Sequence, residues 1–155
     1  MQEQFRFSIE PGVGIGPVRF RMSKDQVSRL FTFVYRSFFK TPASRHRSDQ
    51  IEVVGLIVHY DAEAAVEYIE AIARPQYAEV TLLLYGEDVT RATVARVVSI
   101  VAPRSPSTVK DPNGYTFPDL GLNTYNHLLE SDQDLVEAFG LERPEHRVHS
   151  LSPGV

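Results

Sequence analysis

The junction at Ser23 constrains the fold more than any other feature of the chain. Ahead of it, "VRFRM" (residues 18–22) sets Val18, Phe20 and Met22 at alternate positions, the period of a half-buried strand. Ser23 then stands where a helix N-cap belongs, with Gln26 three residues on, so each can satisfy the other's backbone N–H in a capping box. A helix is predicted from Lys24. At about 100° per residue, Val27, Leu30, Phe31, Val34 and Phe38 form one apolar stripe, and Asp25, Arg29, Thr32, Arg36 and Lys40 the opposite face.

Gly12, Gly14 and Gly16 lead into this junction. A dinucleotide-binding loop needs its glycines at the strand-to-helix turn, where the helix N-terminus meets the pyrophosphate, but here "VRFRM" intervenes. No Gly-Lys-Ser/Thr follows, so a P-loop is excluded as well. With Pro11 and Pro17, the glycines predict a tight connection between "FRFSIE" (residues 5–10) and "VRFRM", both strands by alternation.

Farther along, "IEVVGLIVHY" is a β-branched run that reads as a central strand, with Gly55 a bulge or close-packing site. "DAEAAVEYIEAIA" is ambiguous: its alanine and glutamate favour a helix, while its alternation suits a second hairpin strand. "EVTLLLY" (residues 79–85) predicts a strand, and Thr90 a cap for a helix carrying Val94, Val97, Val98 and Val101, ended by Pro103. "DPNG" (residues 111–114) is a turn, with "YTF" and "LGLNTY" as its flanking strand segments.

The chain of 155 residues is sized for one domain, and its lack of cysteine removes disulfide, thiolate-metal and cysteine-nucleophile chemistry. The opening "MQEQFRFSIE" has no secretion-signal pattern and no apolar run suits a membrane span, so a cytoplasmic protein without membrane contact is expected. Charge is unevenly spread. Residues 17–47 hold Arg19, Arg21, Lys24, Arg29, Arg36, Lys40, Arg45 and Arg47 against Asp25 alone, while residues 48–90 hold Arg74 as the sole cation among nine carboxylates. Either the two segments lie side by side, or the surface is polarised toward a charged partner.

Two stretches, Ser23 to Ile72 and Thr90 to Tyr125, follow the same order of capped helix, strand material and turn. "GIGPVRFRMSKDQV", "IVHYDAEAAVEYIE" and "DPNGYTFPDLG" resemble, in this order, motifs of small cytoplasmic bacterial proteins with "GVGPVRFGMSREEV", "VYYDADGRVEFIE" and "D-x-x-G-x-x-F-x-D-L-G". The first motif is also similar to the opening of domains in outer-membrane assembly lipoproteins and secreted β-lactamase inhibitor proteins. The resemblance covers residues 12–125, with Arg21 in place of the usual glycine and no Leu-Gly at the end of the first helix. It implies that "DAEA" (residues 61–64) is a hairpin turn. The expected architecture is α+β: two helix-plus-antiparallel-strand units (residues 13–72 and 79–125) in one domain (1–142), with a loosely held tail (143–155).

Catalytic motifs are missing: there is no Gly-x-Ser-x-Gly elbow and no His-Glu-x-x-His helix. His146 and His149 with Glu142 and Glu145 lie in a proline-flanked tail, a poor frame for a metal, and Asp132 and Asp134 lack the glycine and glutamate of a calcium loop. No cofactor or metal is expected. Binding features are clearer. Phe33 and Phe39 beside Arg36 have the composition of an interface anchor, and "NHLLESDQDLVE" (residues 126–137) sets Glu130, Asp132, Asp134 and Glu137 among leucines, suited to a basic partner. The resemblance implies a non-enzymatic immunity or inhibitor protein, a monomer or weak homodimer, that occludes a cognate toxin encoded by an adjacent gene. The alternative is a ligand-binding protein or enzyme with a pocket between the units, using His59, Asp61 or Tyr125. Overall acidity argues against nucleic-acid binding by the basic helix.

Overall fold

The computed structural model describes residues 4–144. Down the chain run β1 (Gln4–Glu10), β2 (Gly14–Ile15), β3 (Val18–Arg19), α1 (Lys24–Ser28), β4 (Arg36–Phe38), β5 (Ser48–Ile51), β6 (Leu56–Tyr60) and β7 (Val66–Ile72). Then follow β8 (Glu79–Leu84), β9 (Glu87–Asp88), α2 (Val94–Val101), β10 (Val109–Asp111), β11 (Gly114–Phe117), β12 (Leu122–Tyr125) and β13 (Ala138–Glu142). These form an eight-stranded antiparallel sheet, ordered β10-β11-β12-β13-β7-β6-β5-β4, and a five-stranded sheet, ordered β3-β2-β1-β8-β9, in which β1 and β8 run parallel.

The expected α+β architecture of helix-plus-strand units is thereby overturned: strand makes up 41% and helix 14%, and only α2 exceeds seven residues. The first helix accounts for most of the error. Its capping box forms as the spacing predicts, Ser23 Oγ accepting from Gln26 N–H at 3.1 Å and Gln26 Oε1 from Ser23 N–H at 2.9 Å. The helix then stops at Ser28. Phe31, Thr32, Phe33, Val34 and Tyr35 are poor helix formers, and here they alternate half-buried and exposed, leaving Val34 86% exposed. The Tyr35 hydroxyl donates at 2.7 Å to the Val27 carbonyl, which also accepts the Leu30 N–H at 3.1 Å, and so ties the following segment to the end of the helix.

Two other expectations shift in detail and a third holds. "IEVVGLIVHY" is not one strand: a 3-10 turn at Glu52–Val54, closed by Gly55 at φ 72°, folds β5 back along β6. The hairpin turn expected at residues 61–64 is present: "DAEAAVEYIEAIA" forms that turn and β7, which pairs with β6, against its helical propensity. Thr93, not Thr90, caps α2, and Thr90 Oγ1 instead accepts the Leu82 N–H.

The two halves repeat backbone contacts at one offset of 70 residues. Lys24 N–H reaches Ala64 O, as Val94 N–H reaches Asp134 O; Val66 N–H reaches Met22 O, as Val136 N–H reaches Ala92 O; Ser23 bridges Ala65, as Thr93 bridges Leu135. The halves join where β7 pairs with β13, and there Glu70 lies opposite Gly140, its own counterpart at that offset. A pseudo-two-fold axis passes between these two residues. The helices and the five-stranded sheet cover one face of the large sheet, and Leu56, Val58, Ile69, Ala71, Phe117, Leu122, Phe139 and Leu141 on that face are 0–1% exposed.

Candidate binding face

The strand registers join one row of residues across all eight strands: Arg36, Gln50, Ile57, Glu70, Gly140, Asn123, Thr116 and Val109. Directly opposed residues share a face, and this one points away from the core. Its members are half-buried or exposed apart from Gly140, and neighbouring rows add Tyr68, Ile72 and Tyr125, the last 46% exposed. At the β4 end, Phe38 stands edge-on to His59 and Lys40 lies over the Tyr68 ring.

A depression of about 220 Å³ lies at the centre of this face, lined by Ile57, Tyr68, Glu70, Ile72, Asn123 and Tyr125 around Gly140. Gly140 has ordinary strand geometry, and it is needed for space: a Cβ there would collide with the Tyr68 hydroxyl and lie 2.6 Å from Asn123 Nδ2. Asn123 Nδ2 donates to that hydroxyl at 2.8 Å. Burial, followed by the nearby Glu70 and Glu142 carboxylates, holds the Tyr68 hydroxyl above the usual tyrosine range despite the Asn123 hydrogen bond.

His59, 5% exposed, bonds Ser48 Oγ through Nδ1 at 2.6 Å and faces Glu70 Oε2 through Nε2 at 3.6 Å. The serine-histidine-carboxylate series is not arranged for attack on a substrate, because the Ser48 hydroxyl belongs to a residue 2% exposed. Asp61 holds the hairpin turn through Glu63 and Ala65 N–H and pairs with Arg143 at 2.8 Å. Of the three residues expected in a shared pocket, Tyr125 alone lines the depression.

The expected partner-binding residues are dispersed. Arg36 lies on the open face. Phe33 stacks on Phe31 at 5.6 Å and meets Phe5 edge-on, within an aromatic cluster beside the small sheet. Phe39, 51% exposed, carries the Arg47 guanidinium 4.8 Å over its ring. Asp132 binds the Tyr115 hydroxyl at 2.6 Å and Lys110 at 3.2 Å, Asp134 accepts from Glu130 and Ser131 N–H, and Glu137 accepts from His127 N–H. Glu130 is exposed. Thus Asp132, Asp134 and Glu137 organise their own loop. Glu145, His146 and His149 lie outside the described residues, among which no cluster suited to a metal occurs.

A larger hollow of about 540 Å³ lies where β8 meets the approach to α2. Its Arg74 donates to the carbonyls of Thr90 and Val136, and its Arg96 pairs with Glu87 at 2.9 Å, so both guanidinium groups are engaged within the chain. The basic and acidic sequence segments also meet in the fold: Lys24 reaches buried Asp49 at 2.8 Å, and β4 runs beside β5. Tyr68, Glu70, Asn123 and Gly140 were not marked by sequence reasoning. Their one trace is the polar and aromatic alternation of "VEYIE", which gains meaning only with the strand register.

No family model, curated protein or solved structure matches the chain. No helix among the described residues is long and apolar enough to cross a membrane.

Proposed function

We propose that the protein is a non-enzymatic binding protein, of the immunity or inhibitor kind, that docks the uncovered face of its large sheet onto a toxin and occludes the toxin's active site. The observation that carries this reading is the continuous row across eight strands that no layer of the described residues covers, with half-buried aromatic and aliphatic side chains around a central depression. A broad face with Tyr68 and Tyr125 about a central depression has the aromatic enrichment of a protein interface. Rigidity helps, since strands anchored in a common core lose little freedom on docking.

The test is co-expression with the toxin encoded by the adjacent gene. Wild type should rescue growth and co-purify with the toxin. Tyr125→Arg and Val109→Arg, both on the open face, should weaken the complex at least 100-fold, while Val34→Arg and Leu128→Arg, exposed elsewhere, should leave it intact. Continued cell death without a complex, or loss of binding with Leu128→Arg alone, would refute the open-face reading.

A further inference from the structure

We infer that the central depression is a receptor for an arginine side chain of the docking protein, a refinement that rests on the reading above. Glu70 supplies the reason. Its side chain is 38% exposed and lies between Ile57, directly across the strand pair, and Ile72, two residues on along the same face. The carboxylate is thus flanked by apolar side chains and open on the face. Among the described residues its one ion-pair neighbour is His59 Nε2, and 3.6 Å is too long for a hydrogen bond; that nitrogen has no hydrogen-bond partner among them either. A carboxylate that takes no donor from the described residues and stays open on a docking face is complementary to a partner's cation.

The rest of the depression selects among cations. Beside Glu70 the pseudo-symmetry puts Gly140, so no second side chain rises there, and the Tyr68 hydroxyl and the Asn123 amide close over the glycine as the floor of the depression. Beyond it, Asn123 spends its Nδ2 on Tyr68, and its Oδ1 lies over Gly140 as a neutral acceptor. Tyr125 supplies an exposed aromatic wall. A charged acceptor, a neutral acceptor and an aromatic face together match a guanidinium, which is planar, carries five donors, stacks on rings and is weakly hydrated. An ammonium is a compact, strongly hydrated point charge and uses this set less well. The chain's own Lys40 lies over the Tyr68 ring at 5.4 Å and forms no ion pair with Glu70.

The test is a titration of the full-length ¹⁵N-labelled protein, followed by amide chemical shifts, with N-acetyl-arginine amide, N-acetyl-lysine amide and N-acetyl-norleucine amide as probes. Arginine should give saturable shifts confined to Ile57, Tyr68, Glu70, Asn123 and Gly140 at millimolar concentration, with lysine at least fivefold weaker and norleucine silent. Glu70→Gln should weaken arginine binding at least tenfold, and Gly140→Ala, which keeps the carboxylate but pushes the Tyr68 hydroxyl and the Asn123 amide out of place, should abolish it. The same spectra report whether each variant is folded. Absence of saturable shifts, equal responses to arginine and lysine, or an unchanged response in Glu70→Gln would overturn the assignment. A dimer in sedimentation whose depression is already filled would place a second copy's arginine there and overturn the assignment to a partner. The two readings separate in the toxin assay: a complex blocked by Tyr125→Arg but indifferent to Glu70→Gln removes the arginine and keeps the face. An arginine response with no toxin complex does the reverse.

Discussion

Asp61 shows how a single side chain can be spent on holding a turn. Burial alone would raise its carboxyl, but the Ala65 N–H, the Arg143 guanidinium and the Glu63 N–H outweigh that and hold it below the usual aspartate range. A carboxyl depressed in the folded state contributes stability above its unfolded value near 3.8, and that contribution is lost as pH falls through the folded value. Asp61→Asn should therefore cost about 1–3 kcal/mol at pH 7. The gap from wild type should narrow as pH drops below 3.8 and close beneath the folded value, as read by urea melts at successive pH values. A gap that stays constant with pH would mean that charge is not what Asp61 contributes. Features of this local kind were legible in the sequence: the Ser23–Gln26 box and the Asp111 turn each depend on contacts two or three residues apart. Glu70 and Gly140 were not, because what they do depends on a partner strand 70 positions away. Arg21 falls between the two cases. It adopts φ 73°, a conformation that favours glycine, at the position where the resembling proteins carry glycine.

At the scale of elements, caps were easier to read than lengths. Two N-caps mark equivalent places in the two halves, Ser23 before α1 and Thr93 before α2, and each hydroxyl accepts an N–H three residues on at 3.1 Å. Ser23→Ala and Thr93→Ala should each destabilise by about 1 kcal/mol. Being in different halves with no shared partner, they should add to within about 0.5 kcal/mol in chemical denaturation. A strong deviation would show that the caps communicate through the sheet. Apolar spacing misjudged α1 because residues 27–38 satisfy a helical stripe and a strand-like alternation together. The choice falls to tertiary packing, where Phe31 and Phe33 join Phe5 in the cluster beside the small sheet. Propensity misjudged residues 61–72 for a related reason. Alanine and glutamate favour a helix by only tenths of a kcal/mol per residue, and a central place between β6 and β13, burying Val66, Ile69 and Ala71, outweighs that preference.

For the molecule as a whole, the question is whether two repeated halves behave as two folding units or one. Each half leaves strands that the other completes: β7 has β13 on its free edge, and β1 runs alongside β8. Unpaired edges carry unsatisfied backbone groups, so neither half is finished without its counterpart. The seam can be tested at Ile69 and Leu141, which lie directly opposite each other across β7 and β13 and are both fully buried. Truncating either to alanine should cost about 2–5 kcal/mol, and the two losses should couple by about 0.5–3 kcal/mol, because the second truncation opens space the first has already relaxed. Calorimetry should show one transition for the wild type and for both single variants, with calorimetric and van't Hoff enthalpies in agreement. If Ile69→Ala lowered one of two resolved transitions and left the other unmoved, the halves would be independent domains. The open face would then be two four-stranded surfaces meeting at a hinge. A depression whose floor is the seam itself requires the opposite result, since Glu70 and Gly140 belong to different halves and face each other only while that seam is closed.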